Sequence, residues 1–218
     1  MEILFKTVSY YIPLLLSITI HEYSHALISN RLGDNTAYLA GRLTLNPLAH
    51  IDIIGTVIMP IMGILSGLPF FGWAKPVPFN PLYFRRNVSI RKGIMYTALA
   101  GPVSNLIFAI LMIIFGRIIL LITPNTDTNL FKALFLLVVN TMQVNIGLFL
   151  FNLLPVPPLD GSKILYGILP ENKMYIVEFL ERYSFVLFIG IIIFAGDIIG
   201  PAFIGMTRFF FSLMGINL

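Results

Sequence analysis

No cysteine occurs in the sequence, so it offers neither a disulfide framework nor a thiolate metal site. Charge is nearly as scarce. Asp, Glu, Lys and Arg together make up 11% of the 218 residues, against about a quarter in an ordinary soluble domain. That is too little to cover a water-facing surface, and it excludes a soluble globular protein. Histidine occurs only three times, so any clustering of imidazoles is informative. What fills the chain is hydrophobic, 57% of it. The net charge of +4 would suit nucleic acid in a soluble protein. In a membrane protein, basic residues report instead which loops face the cytoplasm. The expected partner is therefore the lipid bilayer, with no nucleic acid. The N-terminal apolar stretch lacks a small-residue cleavage site, outruns the apolar region of a signal peptide and contains His and Glu. It reads as a retained helix.

A bilayer core of ~30 Å takes ~20 apolar helical residues to cross. Five stretches approach or exceed that length: about 8–29, 93–122, 130–154, 179–194 and 198–214. Gly33 offers the first a stop. Pro155, Pro157 and Pro158 stop the third, while Gly196-Asp197 and Gly200-Pro201 separate and interrupt the last two. Residues 51–68 are apolar but short, and Gly55, Pro60, Gly63 and Gly67 break them. Basic residues lie in the connections 31–50, 69–92 and 155–182, whereas 123–129 has only Asp127. The positive-inside rule places the first three in the cytoplasm, so 51–68 must enter and leave on one side. It is expected to be re-entrant, which is tolerated where protein covers the backbone. The basic cluster at 85–92 reads as an anchor to anionic lipid. Residues 38–45 have strand character and, with the re-entrant segment, could receive an extended substrate by strand addition. The fold class expected is an all-α polytopic membrane protein with about five transmembrane helices, a re-entrant segment and a short membrane-associated β element.

His21-Glu22-Tyr23-Ser24-His25 is an HExxH pattern inside an apolar helix. Residues four apart share a helix face, so both imidazoles can reach one metal ion. Glu22 can then sit beside a water activated by that metal and take its proton. Ionisable groups at membrane depth are costly and usually functional. Simple helix–helix hydrogen bonding by the same side chains is the plain alternative. A catalytic zinc site takes three protein ligands and keeps one position open. Candidates for the third are His50, Asp52, Asp160 and Asp197. If the first helix runs inward and ends near Asn30, its histidines lie roughly 8–14 Å from the inner end at about 1.5 Å per residue. The 130–154 helix runs the same way, and a chain folded back by its terminal prolines brings Asp160 to their depth. Topology thus favours Asp160. His50 reads as a residue behind the site or on the surface, Asn105 as helix–helix glue, and Gly101-Pro102 as a close-packing feature. Asn145, seven residues from Asn152, is a candidate for the polar lining.

HEYSH in the first helix, Ala100-Gly101-Pro102-Val103-Ser104-Asn105 opening another, and Asn152-Leu153-Leu154-Pro155-Val156-Pro157-Pro158-Leu159-Asp160-Gly161 together resemble the site-2 protease family of intramembrane zinc metalloproteases. The resemblance covers about residues 15–165. It implies a core of three transmembrane helices and one zinc ion held by His21, His25 and Asp160. It also implies that Glu22 is the catalytic glutamate, and that Asn152 lies near the active site, holding the substrate or polarising its carbonyl. Against the simplest family pattern, residues 51–68 and the loop 72–78 are inserted before the Gly-Pro helix, and there is no room for a PDZ or CBS domain. The expectation is a single integral-membrane metalloprotease domain over 1–218, with a catalytic core at about 8–165 and C-terminal helices at about 179–215. Its substrates are expected to be single-span membrane proteins, in a prokaryotic plasma membrane, with the active site nearer the cytoplasmic side. Two rivals are a metal-ion transporter and a catalytically silent binding protein. The outer halves of the helices are nearly free of ionisable groups, which argues against the first. The presence of all four site residues argues against the second.

Overall fold

Within a bilayer every backbone N–H and C=O must find its partner inside the protein, which favours uninterrupted helices. The computed structural model describes residues 2–60, 62, 73–123 and 128–216, and contains no strand among them. Four helices are long: α1 (Glu2–Leu32), α3 (Ile90–Ile122), α4 (Asn129–Asn152) and α7 (Ser184–Met214). Three are short: α2 (Thr36–Leu39), α5 (Asp160–Ile168) and α6 (Met174–Arg182). By length and composition α3, α4 and α7 can each cross a membrane. α1 matches them in length, but the HEYSH residues interrupt its apolar run.

α1, α3 and α4 pack on one another, α5 lies against α3, and α7 lies against α3 and α4. Where α3, α4 and α7 meet, the core is apolar and includes Ile113, Val138, Met142, Ile146, Phe210 and Met214. Between α1, α3 and α4 it is polar, with Ser9, Ser17, Asn105, Asn140 and Asn145 buried. One bond of this seam has a local cause. Pro13 has no N–H, so the carbonyl of Ser9 one turn earlier loses its helical donor. Asn140 Nδ2 donates to that oxygen at 2.9 Å.

Three expectations change here. The spans expected at 179–194 and 198–214 are instead α6 and a single 31-residue helix, α7, which continues through Gly196 and Pro201. Glycine weakens a helix and proline removes one N–H, but ending the helix at that depth would leave several backbone groups bare in lipid. Five spanning helices are therefore not reached among the described residues. The β element at 38–45 is also absent. α2 closes in a Schellman turn, with Gly41 at φ +67°. Gly41 N donates to Tyr38 O at 3.0 Å and Arg42 N to Ala37 O at 2.8 Å. These local bonds consume the groups a ladder would need, so strand addition at 38–45 has no edge to use. Finally, one member of the 85–92 cluster, read as an anchor to lipid, is engaged within the protein. The Arg91 guanidinium donates to the carbonyls of Tyr166 (2.8 Å) and Leu169, capping the end of α5.

Of the segment expected to be re-entrant, 51–68, residues 61 and 63–68 lie outside the described residues, as do 69–72 after it. Described residues on the two sides of that gap meet. Thr56 Oγ1 donates to Trp73 O at 2.9 Å, and Lys75 N to His50 O at 3.0 Å.

α1 stops at Gly33 (φ +113°), as expected. The next residue is a buried carboxylate that sequence reading missed. Asp34 accepts from Ser29 Oγ (2.8 Å), Thr36 N (2.9 Å) and Asn80 N (2.7 Å), and from Thr36 Oγ1. It ties the end of α1 to the segment that returns across the site. Burial pushes its carboxyl up, but the donors from Thr36, Asn80 and Ser29 outweigh burial and hold it below the usual carboxylate range. Its stabilisation is therefore complete above the unfolded value near about 3.9 and is lost as pH falls through the lower folded value. Asp34→Ala should cost about 2–4 kcal/mol at pH 7, because it strands buried donors. Unfolding in detergent at pH 7 and at pH 3 checks this: the gap to wild type should shrink in acid.

Candidate active site

His21 and His25 point from α1 towards α3 and α5. His21 Nε2 and His25 Nε2 lie 3.0 Å apart, and each is 3.1 Å from Asp160 Oδ2. Asp160 reaches them because the chain reverses sharply after α4. Val156 N donates to Leu154 O at 2.9 Å and Leu159 N to Val156 O at 3.0 Å, so α5 starts beside the end of α4. The glycine after Asp160 permits this. A Cβ on Gly161 would fall 2.3 Å from the carbonyl oxygens of Leu153 and Leu154.

The remaining ring nitrogens fix the protonation pattern. His25 Nδ1 lies 2.7 Å from Thr97 O, and a carbonyl only accepts, so Nδ1 carries the proton. His21 Nδ1 lies 2.6 Å from Asn105 Oδ1. The Asn105 amide is oriented by its own donors, to Ser17 O (3.3 Å) and Asn145 Oδ1 (2.8 Å). Asn145 donates in turn to Ser17 Oγ and Thr141 O, both at 2.7 Å, and Ser17 Oγ to Pro13 O at 2.6 Å. With both Nδ1 atoms engaged by acceptors, a neutral ring has its Nε2 lone pair directed at the other ring and at a carboxylate oxygen, a donor set that suits a metal cation. The 3.0–3.1 Å edges are close to the ~3.3 Å ligand–ligand edge of a tetrahedral ion with bonds of about 2.0–2.1 Å. His21, His25 and Asp160 can hold such an ion.

These groups line a cavity of about 140 Å³ together with Glu22, Val77, Phe79, Asn152 and Lys163. Glu22 Oε2 accepts from Val77 N at 2.9 Å. Val77 lies between Pro76 and Pro78, so its N–H is the one donor of that tripeptide. Asn152 uses one amide N–H on Leu148 O at 3.0 Å and keeps the other for the cavity. Lys163 Nζ is 3.7 Å from Asp160 Oδ1.

The structure thus gathers His21, Glu22, His25, Asn152 and Asp160. Asn145 lies a turn deeper, behind His21, not in the lining. Asn105, expected as glue between helices, is that and also the orienting partner of His21. His50 is buried with Nε2 2.8 Å from Thr44 O, outside the cluster. Asp52 caps the turn at Ile53–Ile58, and Asp197 is exposed on α7. Sequence reading missed Val77, Thr97 and Lys163, while Gly101, read there as a close-packing feature, packs against His21 and His25. The four-residue spacings of Ser17 with His21 and Gly101 with Asn105 were the available signals. Partners that orient metal ligands usually tune affinity by about 10–100-fold. Asn105→Leu should therefore weaken metal binding by about that factor, measured by competition with a chelating dye, while leaving all three ligands in place.

Two imidazoles and a carboxylate on packed helices, with a glutamate adjoining the first histidine, define a metallohydrolase-type centre. Comparison with known proteins gives the family. The chain is 37% identical over 185 residues to "Putative zinc metalloprotease YwhC" of Bacillus subtilis (strain 168), covering 82% of this chain and 77% of the relative. It is 26% and 28% identical to "Putative zinc metalloprotease Rip2" of Mycolicibacterium smegmatis and Mycobacterium tuberculosis, in each case over 93% of this chain and 73% of the relative. No family model and no solved structure matches it. The chain belongs to the site-2 protease family of zinc metalloproteases.

Proposed function

We propose that the protein is an intramembrane zinc metalloprotease that hydrolyses peptide bonds within or beside transmembrane segments of membrane proteins. The observation that carries this reading is the convergence of three possible metal-ligand atoms, from His21, His25 and Asp160, in a cavity that Glu22 also lines. His21, His25 and Asp160 are the ligands of one zinc ion. When bound, zinc supplies Lewis acidity, which lowers the pKa of a water and polarises a carbonyl. The chain's own groups do the rest. Glu22 is held by Val77 through one oxygen and has the other to take a proton from the attacking water. It then returns that proton to the leaving amine. Asn152 directs its spare N–H to the substrate carbonyl. Asn105, Asn145 and Ser17 hold His21 in the required tautomer.

Single-span proteins are the substrate class we favour, since their helices must unwind locally to present a peptide bond. The basic connections at 31–50, 69–92 and 155–182 support a site nearer the cytoplasmic side of a prokaryotic plasma membrane. The meeting of Thr56 with Trp73 supports a re-entrant path for 51–68. Purified protein in liposomes should cleave a single-span substrate, stop when a chelator removes the metal, and resume on zinc addition. Zinc passing into the liposome lumen without cleavage would favour a transporter. Tight zinc retention with no cleavage across a panel of single-span substrates would favour a silent binding protein.

A further inference from the structure

Beside the catalytic cavity lies a larger one of about 430 Å³, between α3, α5 and α6. The two share Phe79 and Lys163 as wall residues. The α6 wall is Val177, Leu180 and Glu181, which fall on one helix face at i, i+3 and i+4. Opposite stands Tyr166, whose ring is stacked under the Arg91 guanidinium at 5.2 Å, so that wall is fixed. The lining is mostly apolar, and Glu181 is an exposed residue of the wall. Lys163 is engaged with Asp160 at 3.7 Å and lies over the Phe79 ring at 5.8 Å. Ser162, also in the wall, spends its hydroxyl on Leu159 O at 2.7 Å.

A dry cavity of roughly 150 Å³ accepts a benzene ring, so this one takes the largest side chains with room for a neighbour. An extended peptide advances roughly 3.3 Å per residue. A chain with its scissile bond at Glu22 would then present a side chain to the second cavity within a few residues. We propose that this cavity is a specificity subsite that receives a large apolar side chain of the substrate near the scissile bond. The proposal rests on the protease reading given above.

The test is a set of single-span substrates with Ala or Phe at each position within about four residues of the cleavage site, offered to wild type, Val177→Trp and Leu180→Ala in liposomes. Bound zinc is counted in each to certify the fold. Neither substituted residue belongs to the catalytic cavity. Wild type should favour Phe over Ala at one position by roughly 10-fold or more, the scale on which apolar pockets discriminate. Val177→Trp should lower that ratio towards one by lowering kcat/KM for the Phe substrate while leaving the Ala substrate unchanged. Leu180→Ala should keep or widen the preference. Cleavage by all three proteins with the same residue profile would overturn the subsite and leave the protease standing. A rate that follows acyl-chain length in the liposome, and not the substrate residue, would overturn it in favour of lipid. Zinc-loaded wild type that cleaves no substrate would bring down the protease reading, and the subsite with it.

Discussion

Glu22→Gln should keep its metal and lose peptide-bond cleavage by about 10²–10⁴-fold, the range over which a positioned base contributes. The amide is nearly isosteric with the carboxylate and its oxygen can still accept from Val77 N, so the 2.9 Å contact survives. What disappears is the capacity to take a proton from water. Metal content should be unaltered, because Glu22 is not among the three converging donors. Zinc stoichiometry and single-turnover cleavage, measured on one preparation, check both halves. An unchanged rate would remove Glu22 from the chemistry. A loss of zinc would mean that it acts through the metal site.

Gly101→Ala should be as damaging by a different route. A Cβ there would lie 2.4 Å from His25 Nε2 and 2.6 Å from His21 Nε2, against two of the three donor atoms. One methyl group would thus force both imidazoles out of place without changing any ligand's identity. In an ordinary helix this change stabilises, by about 1 kcal/mol. Gly101→Ala should therefore remain folded, with zinc affinity down by more than about 100-fold, a loss exceeding that expected from removing an orienting partner. Isothermal titration with zinc reads the affinity, and thermal melting of the metal-free protein reads the fold. Full zinc occupancy at wild-type affinity would show that α3 can shift away.

The parts of the site legible in the sequence are those encoded by short spacing. His21 and His25 lie four apart on one helix, so their convergence follows from helical geometry alone. Asp160 could be chosen by topology because prolines after α4 force a reversal. The orienting relay was not legible. Asn105 lies 84 positions from His21, and Asn145 lies 128 from Ser17, so only the packing of α1, α3 and α4 reveals their pairing. The same limit applies to Asp34, whose donors come from both sides of a connection. The misreading of 196–201 has a separate origin. Gly and Pro punctuate helices in water, but in lipid the bare backbone is the greater cost, and α7 runs on. Residues 38–45 have strand character in sequence, whereas Gly41 and its turn bonds decided otherwise.

Asp160 follows His21 by 139 positions, and this separation matters while the protein is being made. A ribosome adding roughly 5–20 residues per second needs on the order of ten seconds to reach the carboxylate after the first histidine has been polymerised. Throughout that interval the nascent chain carries two imidazoles and a glutamate but not the residue that closes the triangle. The metal-ligand triangle is thereby a late product of synthesis, able to close only after α1, α3 and α4 have all been made.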